Sequence, residues 1–247
     1  AEVKYFIEPG KQYTIDSITK KINSSALDSL YEFSLSECLI QKGYPFEIDR
    51  FEAERSRLIN LFRNKGVYNF QQNSIQFTAA IDSSGADTKI PVVIEINDLQ
   101  KRENDTLINF PYRIHPVSKI NIYIDTPGQL GQLSSFMDSI NYNDFNLFFK
   151  GKLKYKPKAL EEVIFIKKGG AYSDLERSQT YRYISNLRNF KYPSITYSTI
   201  DSYKPDLVAN IFLNPKERFS MGFDLDLSHS NIQDFGFSIG SSFGIRN

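Results

Sequence analysis

The chain states one pattern twice, at a spacing near 120 of its 247 residues, and this internal repeat constrains its fold more than any single motif. The first copy opens with Gly10-Lys-Gln-Tyr13-Thr-Ile15-Asp-Ser-Ile18, in which apolar and polar residues alternate as in a half-buried strand. The second opens with Tyr112-Arg-Ile114-His-Pro-Val117-Ser-Lys-Ile120-Asn-Ile122-Tyr-Ile124. A helical stretch follows in each copy. Each stretch is expected to stop at a Lys-Gly, at Lys42-Gly43 and at Lys168-Gly169, because glycine accepts the left-handed backbone of a helix end. A longer helix comes next. In the first copy Phe51, Arg55, Leu58 and Phe62 form a stripe that starts near Asp49 and stops at Gly66. In the second, Ser173-Asp-Leu-Glu176 has the form of a capping box, and Leu175, Tyr181, Ile184 and Leu187 mark an inward face. Glu54-Arg-Ser and Glu176-Arg-Ser are a shared phrase.

Each long helix is followed by two strands. Ile75-Gln-Phe77-Thr-Ala79-Ala-Ile81-Asp82 corresponds to Ile195-Thr-Tyr197-Ser-Thr-Ile200-Asp201, and the segment 91–97 corresponds to 207–215. The unit therefore reads strand, helix, helix, strand, strand. It is an α+β module in which a small mixed sheet buries the apolar stripes of two helices on one face. Residues 97–106 between the copies are polar and charged and read as a solvated turn or linker. The second copy is longer at 125–157. There Leu130, Leu133, Phe136, Met137 and Ile140 fall at helical spacing before the Phe-rich Phe145-Asn-Leu-Phe148-Phe149, which predicts an inserted helix and its packing partner, with a partner-binding elaboration as the alternative.

From Arg218 onward the character changes. Phe219-Ser-Met221-Gly-Phe223-Asp-Leu225-Asp-Leu227-Ser alternates with period two, and after the turn-like segment 228–234 comes Phe235-Gly-Phe237-Ser-Ile239-Gly-Ser-Ser-Phe243-Gly-Ile245. One face of each is aromatic and aliphatic, the other small and polar. A transmembrane β-barrel strand needs about 9 to 11 residues, apolar toward lipid and polar toward the lumen. The pattern therefore predicts lipid-facing Phe219, Met221, Phe223, Leu225, Leu227, Phe235, Phe237, Ile239, Phe243 and Ile245. The alternative is a soluble hairpin whose apolar face covers a core, for which little amphipathic helix is left over. Two strands do not close a barrel, and an open edge is not viable in lipid. The expectation is the front end of a longer protein, cut within its barrel at Arg246-Asn247.

Composition narrows the function classes. With 30 Lys+Arg against 29 Asp+Glu and no basic stripe, nucleic acid is not an expected partner. The apolar runs are too short for a membrane-crossing helix. The 20 Phe and 15 Tyr suit strands and half-buried pleated surfaces. Cys38, the single cysteine, cannot form an internal disulfide and is expected as a buried thiol on a helix. His115 and His229 stand apart from each other and from any ligand cluster, so no metal and no cofactor is expected. There is no phosphate loop and no nucleophile elbow, and Asp224 and Asp226 read as lumen-facing polar groups, so the chain is not expected to be an enzyme. Ala1-Glu-Val-Lys-Tyr-Phe-Ile-Glu lacks the form of a signal peptide and reads as a strand.

A tandem of such modules leading into a barrel hairpin resembles the polypeptide-transport-associated (POTRA) region and barrel start of the BamA/TamA outer-membrane assembly family. The phrases that carry the resemblance are Gly10-Lys-Gln-Tyr13-Thr-Ile15, Lys42-Gly-Tyr-Pro-Phe46 and Arg63-Asn-Lys-Gly66-Val-Tyr68. The close of the second module, with Leu213-Asn-Pro215, Ser228-His-Ser230 and Phe243-Gly-Ile-Arg246-Asn247, looks most like the TamA-like branch of Bacteroidetes. The division this implies is 1–9 as the last strand of a preceding module, 10–98 as one module, and 99–111 as a linker. A second module at 112–216 with its insertion at 125–157 follows, and then the first two barrel strands at 217–247.

The resemblance implies periplasmic modules that handle unfolded outer-membrane or exported client proteins, attached to a barrel that aids their insertion into outer-membrane lipid. Other assembly subunits, TamB-like or BAM-type, are the implied partners, and Phe219–Leu227 is the strand that opens laterally. A module with an exposed sheet edge adds an incoming strand through backbone hydrogen bonds. The edges expected to do so are Ile75–Ile81, chiefly Ile75, Gln76, Phe77 and Thr78, and Ile195–Ile200, chiefly Ile195, Thr196 and Tyr197. Proline at Gln76 or Thr78 is expected to remove the ladder donors. A soluble two-module interaction or scaffold protein with no membrane barrel is the alternative reading.

Overall fold

The computed structural model describes residues 11–82, 87–103, 105–125, 138–200, 204–217, 219–230 and 233–245. The expected strand at 1–9 and the residues Leu130, Leu133, Phe136 and Met137 lie outside the described residues. Two compact units divide the chain, one made of 1–118, 166–177 and 198–208, the other of 119–165, 178–197 and 209–247.

In the first unit β1 (Thr14–Ile22), α1 (Ser25–Phe33), α2 (Ile48–Asn64), β2 (Ile75–Ala79) and β3 (Lys89–Ile96) follow in the expected order. The sheet runs β1-β3-β2, with β1 parallel and β2 antiparallel to β3. Ile90, Val92, Ile94 and Ile96 of the central strand are buried in one cluster with Leu27 and Tyr31 of α1 and Phe51, Leu58 and Phe62 of α2. An apolar helix stripe thus meets the buried face of a period-two strand, which is how the first repeat closes its core. Arg55 does not share the α2 stripe; its guanidinium lies over the Phe77 ring, 5.2 Å from the centroid. Glu54 takes the inward position instead. Pro91 stands in the central strand, where its missing N–H has to be accommodated. The register of β1 shifts opposite it, between Ile15 and Ser17.

The first helical stretch ends at Phe33 and continues only as a 3-10 turn at Leu35–Glu37, so it does not run to Lys42-Gly43 as the sequence suggested. Gly43 does adopt a left-handed φ of 84°, but in a turn that grips the start of β1. Gly43 N–H donates to Ile15 O (2.7 Å), Ile15 N–H to Tyr44 O (2.9 Å) and Phe46 N–H to Tyr13 O (2.9 Å). The second copy repeats this grip. Gly169 N–H donates to Val117 O (2.7 Å), Val117 N–H to Gly170 O (2.8 Å) and Tyr172 N–H to His115 O (2.8 Å). These matched hydrogen bonds set Ile15 against Val117 and Gly43 against Gly169.

Residues 99–110 are more than a solvated turn. They form an antiparallel pair, β4 (Leu99–Glu103) and β5 (Thr106–Phe110), turned by Asp105 at a φ of 63°. Leu99 and Tyr112 pack into the first core, and the Tyr112 hydroxyl meets Ser74 Oγ at 2.8 Å while its N–H donates to Ser24 Oγ at 2.7 Å. The close of α2 then receives the opening of the second copy. Gly66 O accepts the His115 N–H at 2.9 Å, Asn64 Oδ1 accepts the Leu175 N–H at 2.9 Å, and Tyr68 meets Tyr172 edge-on with ring centroids 5.0 Å apart.

The second copy contains β6 (Val117–Ile124), β7 (Asp138–Tyr142), β8 (Phe145–Phe149), α3 (Pro157–Glu161), α4 (Asp174–Asn186), β9 (Phe190–Thr199) and β10 (Leu207–Pro215), in a sheet of order β7-β8-β6-β10-β9. The described part of the insertion is a hairpin, and of the residues expected in the inserted helix only Ile140 falls within it. Ile140 lies on β7, and β8 pairs in parallel with β6 from Ile120↔Phe145 to Ile124↔Phe149. On one face of these strands Asn146 donates to Asn121 (2.9 Å) and Asn121 to Asn210 (3.2 Å), beside a stack of Phe148, Tyr123 and Phe212. The helix α3 ends well before Lys168-Gly169. In α4, Ser173 Oγ accepts the Glu176 N–H at 3.3 Å, the expected half of a capping box. The buried positions of α4 are Thr180 and Ile184, whereas Leu175, Tyr181 and Leu187 are exposed, and on the buried face Thr180 Oγ1 accepts the Phe165 N–H.

Candidate functional site

Both segments expected to receive clients are edge strands: β2 closes one side of the first sheet and β9 one side of the second. Their side chains divide by phase. Ile75 is buried, Phe77 is half-buried against Phe51 (centroids 5.3 Å apart), and Gln76 and Thr78 are exposed. On β9, Ile195 and Tyr197 are half-buried and Thr196 is exposed. Ile81 lies beyond the end of β2, and Ile200 beyond the end of β9.

The backbone reverses one expectation. Asn97 N–H donates to Ser74 O (2.9 Å) and Ala80 N–H to Pro91 O (3.3 Å), so the even-numbered residues of β2 direct their backbone groups at β3. Gln76 and Thr78 thus hold the module together. The outward N–H and C=O groups are those of Ile75, Phe77 and Ala79. Strand propensity marks the segment in the sequence, but the hydrogen-bonding phase depends on which strand pairs with it.

The membrane candidate is the antiparallel pair β11 (Phe219–Ser230) and β12 (Gln233–Ile245). Directly opposed residues share a face. The pairs Phe219↔Ile245, Met221↔Phe243, Leu225↔Ile239 and Leu227↔Phe237 therefore gather the apolar phases of both strands on one side, with Phe223↔Ser241 among them. The nine apolar side chains described there are each 55–74% exposed. Phe235 lies on β12, and its side chain is outside the described residues. From Phe219 to Leu227 the strand extends about 26 Å. At a tilt near 40° that spans roughly 20 Å of the ~25 Å apolar band of an outer-membrane barrel.

The opposite face pairs Gly222 with Ser242, Asp224 with Gly240 and Asp226 with Ser238. A Cβ on Gly222 would meet Ser242 Oγ at 2.7 Å, so this face is kept small where the strands approach. No helix among the described residues is long and apolar enough to cross a membrane, a statement that leaves strand-built spans untouched.

A polar cluster missed by sequence reasoning lies behind α1. Glu54 is fully buried, and its carboxylate accepts from Arg57 at 2.6 and 2.9 Å and from the Leu39 N–H at 2.9 Å. Cys38 follows the 3-10 turn, half-buried rather than within a helix, with Sγ 3.1 Å from Ile40 O. Burial and the adjacent Glu54 carboxylate push its thiol up, away from the reactive thiolate. The Glu-Xaa-Xaa-Arg spacing was the available signal, since it places both groups on one helix face.

No family model matches the chain, and no curated protein matches it. Solved structures do. BamA from Haemophilus ducreyi lacking POTRA domains 1–3 aligns with 93% of this chain and 34% of its own, at 10% identity and a TM-score of 0.50. POTRA1–2 of the periplasmic domain of Omp85 from Anabaena aligns over 84% of this chain and 99% of its own, at 9% identity and a TM-score of 0.39. CdiB from Acinetobacter baumannii covers 100% of this chain and 38% of its own, at 11% identity and a TM-score of 0.32. The chain thus spans about a third of the BamA structure it matches. At such identity the likeness is one of fold: α+β modules of the POTRA kind followed by the start of an antiparallel barrel.

Proposed function

We propose that the chain is the client-handling and barrel-start portion of an outer-membrane protein assembly or translocation factor. The observation that carries this reading is the β11–β12 pair, whose exposed apolar side chains all stand on one face while small and acidic residues occupy the other. Residues 217–247 are assigned to the outer membrane, and the modules at 10–98 and 112–216, with the linker 99–111, to the periplasm. Extended clients add to the outward backbone groups of Ile75, Phe77 and Ala79 and to β9 around Ile195, Thr196 and Tyr197. Main-chain pairing ignores most of the client's side chains, so one edge serves many sequences. No catalytic step and no cofactor is required. Its partners are unfolded outer-membrane or exported proteins and a second assembly subunit, TamB-like if the chain belongs to the TamA-like branch of Bacteroidetes or BAM-type otherwise.

The test compares the 247-residue chain with one ending at Pro215. The shorter chain is expected to remain monomeric in buffer and the longer to require detergent. Equal solubility of both would favour a two-module scaffold and refute the membrane assignment. Ala79→Pro, which removes an outward donor and little side chain, is expected to weaken client-peptide binding where Ala79→Val does not.

A further inference from the structure

The matched turns make the two sheets directly comparable at the edge opposite to β2 and β9. Ile15 corresponds to Val117 through the Gly43 and Gly169 grips, and Asn23 corresponds to Asp125, since Asn23 N–H donates to Ile96 O and Asp125 N–H to Leu213 O. The offset is the same at both ends, so Ile18, Lys20 and Ile22 stand where Ile120, Ile122 and Ile124 stand in the second copy. In that copy the edge is filled: β8 lies parallel to β6 and buries Phe145, Leu147 and Phe149 beside those isoleucines. In the first copy β1 ends the sheet, and no strand among the described residues covers it.

The phase of the backbone fits the same role. Asn23 directs its N–H at β3, so Ile18, Lys20 and Ile22 direct theirs outward. Alongside lies a groove of about 410 Å³, whose lining mixes the apolar Ile18, Leu35 and Ile40 with the charged Lys20, Glu32 and Lys42. Lys20 spans it, its ammonium held by Asp28 and Glu32 of α1. A groove beside an edge that no described strand covers is the arrangement that the second copy closes with its own strand.

We infer that the outer edge of β1, from Ile18 to Ile22, is a further strand-accepting site, which takes an extended client segment in parallel with its apolar alternate residues in the adjoining groove. The inference rests on the client-handling reading above, and adds to it an edge, a strand direction and a side-chain pattern. The chain carries a sample of the occupant in β8, whose Phe-Asn-Leu-Phe-Phe sequence places three large apolar residues on one face.

The probe is a synthetic peptide with the sequence of residues 144–150, Asp-Phe-Asn-Leu-Phe-Phe-Lys, bound to the full chain in detergent micelles. A nitroxide at the peptide's amino end is expected to broaden the amide signals near Ile18, and one at its carboxyl end those near Ile22. Lys20→Pro, which removes an outward N–H, is expected to weaken this binding at least tenfold. Lys20→Met, which keeps that N–H and removes the ammonium, controls for the ion pairs and is expected to bind within twofold of the parent. Unchanged broadening at β1 in Lys20→Pro, or equal loss in both variants, overturns the inference. Broadening confined to β2, abolished by Ala79→Pro alone, overturns it while leaving the client-handling reading intact. Dimers of the chain that form without peptide and are lost in Lys20→Pro would assign the edge to a second copy and overturn the client assignment.

Discussion

Among the described glycines, Gly66 is where an added methyl group makes the shortest contact. It closes α2 at a φ of 110°, and a Cβ there would meet Ile114 Cγ2 at 2.5 Å and Ala171 Cβ at 3.4 Å. Two costs follow for Gly66→Ala. A side chain held in left-handed backbone costs about 1–2 kcal/mol. Forcing a carbon into a filled contact costs about 1–3 kcal/mol more. The sum, about 2–5 kcal/mol, is a large share of the stability of an ordinary domain. Urea unfolding of the full chain in detergent measures it. The further variant Gly66→Ala/Ile114→Ala removes the colliding methyl but leaves the backbone strain. It is expected to recover about 0.5–3 kcal/mol relative to additivity, the range of directly coupled neighbours. A loss below about 0.5 kcal/mol for Gly66→Ala would refute both parts, and strict additivity in the pair would refute the collision.

Glu54→Ala leaves Arg57 and the Leu39 N–H without their carboxylate and is expected to cost about 3–5 kcal/mol, read from the urea midpoint. Glu54→Gln, which keeps the shape and one acceptor, is expected to cost less, and equal losses would contradict a charge-based role. Burial holds the His115 imidazole below its ordinary value of 6.5, against the opposing pull of the Gly66 and Arg113 carbonyls. Its folded state therefore favours the neutral ring. The stability it contributes is complete above about pH 6.5 and is lost as pH falls from there through the depressed folded value. Midpoints measured from pH 7.5 to 5 should fall less steeply in His115→Gln than in the parent; parallel curves would rule this residue out.

The elements that were legible in advance are those whose period matches their burial. The strand expected within 91–97, the stripe Phe51, Leu58 and Phe62, and the alternation of β11 all stand where the sequence pattern placed them. Ile140 fits helical spacing with its neighbours in the sequence but stands on a strand, because a turn residue three positions on reverses the chain into a hairpin. Asn143, at a φ of 50°, turns β7 into β8. The Lys-Gly dipeptides showed where the backbone turns left-handed but not what it grips, since Ile15 and Val117 are distant in sequence from Gly43 and Gly169. Glu54 was hidden for a related reason: a glutamate on a helix reads as solvated until a partner across the fold, the Leu39 N–H, is known. The expected client-edge residues were found as strands, and their donor phase was not, because it belongs to the pairing rather than to the strand.

Site-by-site spin labelling of residues 219–227 in a Cys38→Ser background, with the protein in lipid bilayers, decides whether β11 faces lipid. Labels at Phe219, Met221, Phe223, Leu225 and Leu227 are expected to be accessible to dissolved oxygen and shielded from a water-soluble nickel chelate. Those at Ser220, Gly222, Asp224 and Asp226 are expected to show the opposite, giving a period of two along the strand. Uniform exposure to the nickel chelate on both phases would place the strand in water and contradict the membrane assignment.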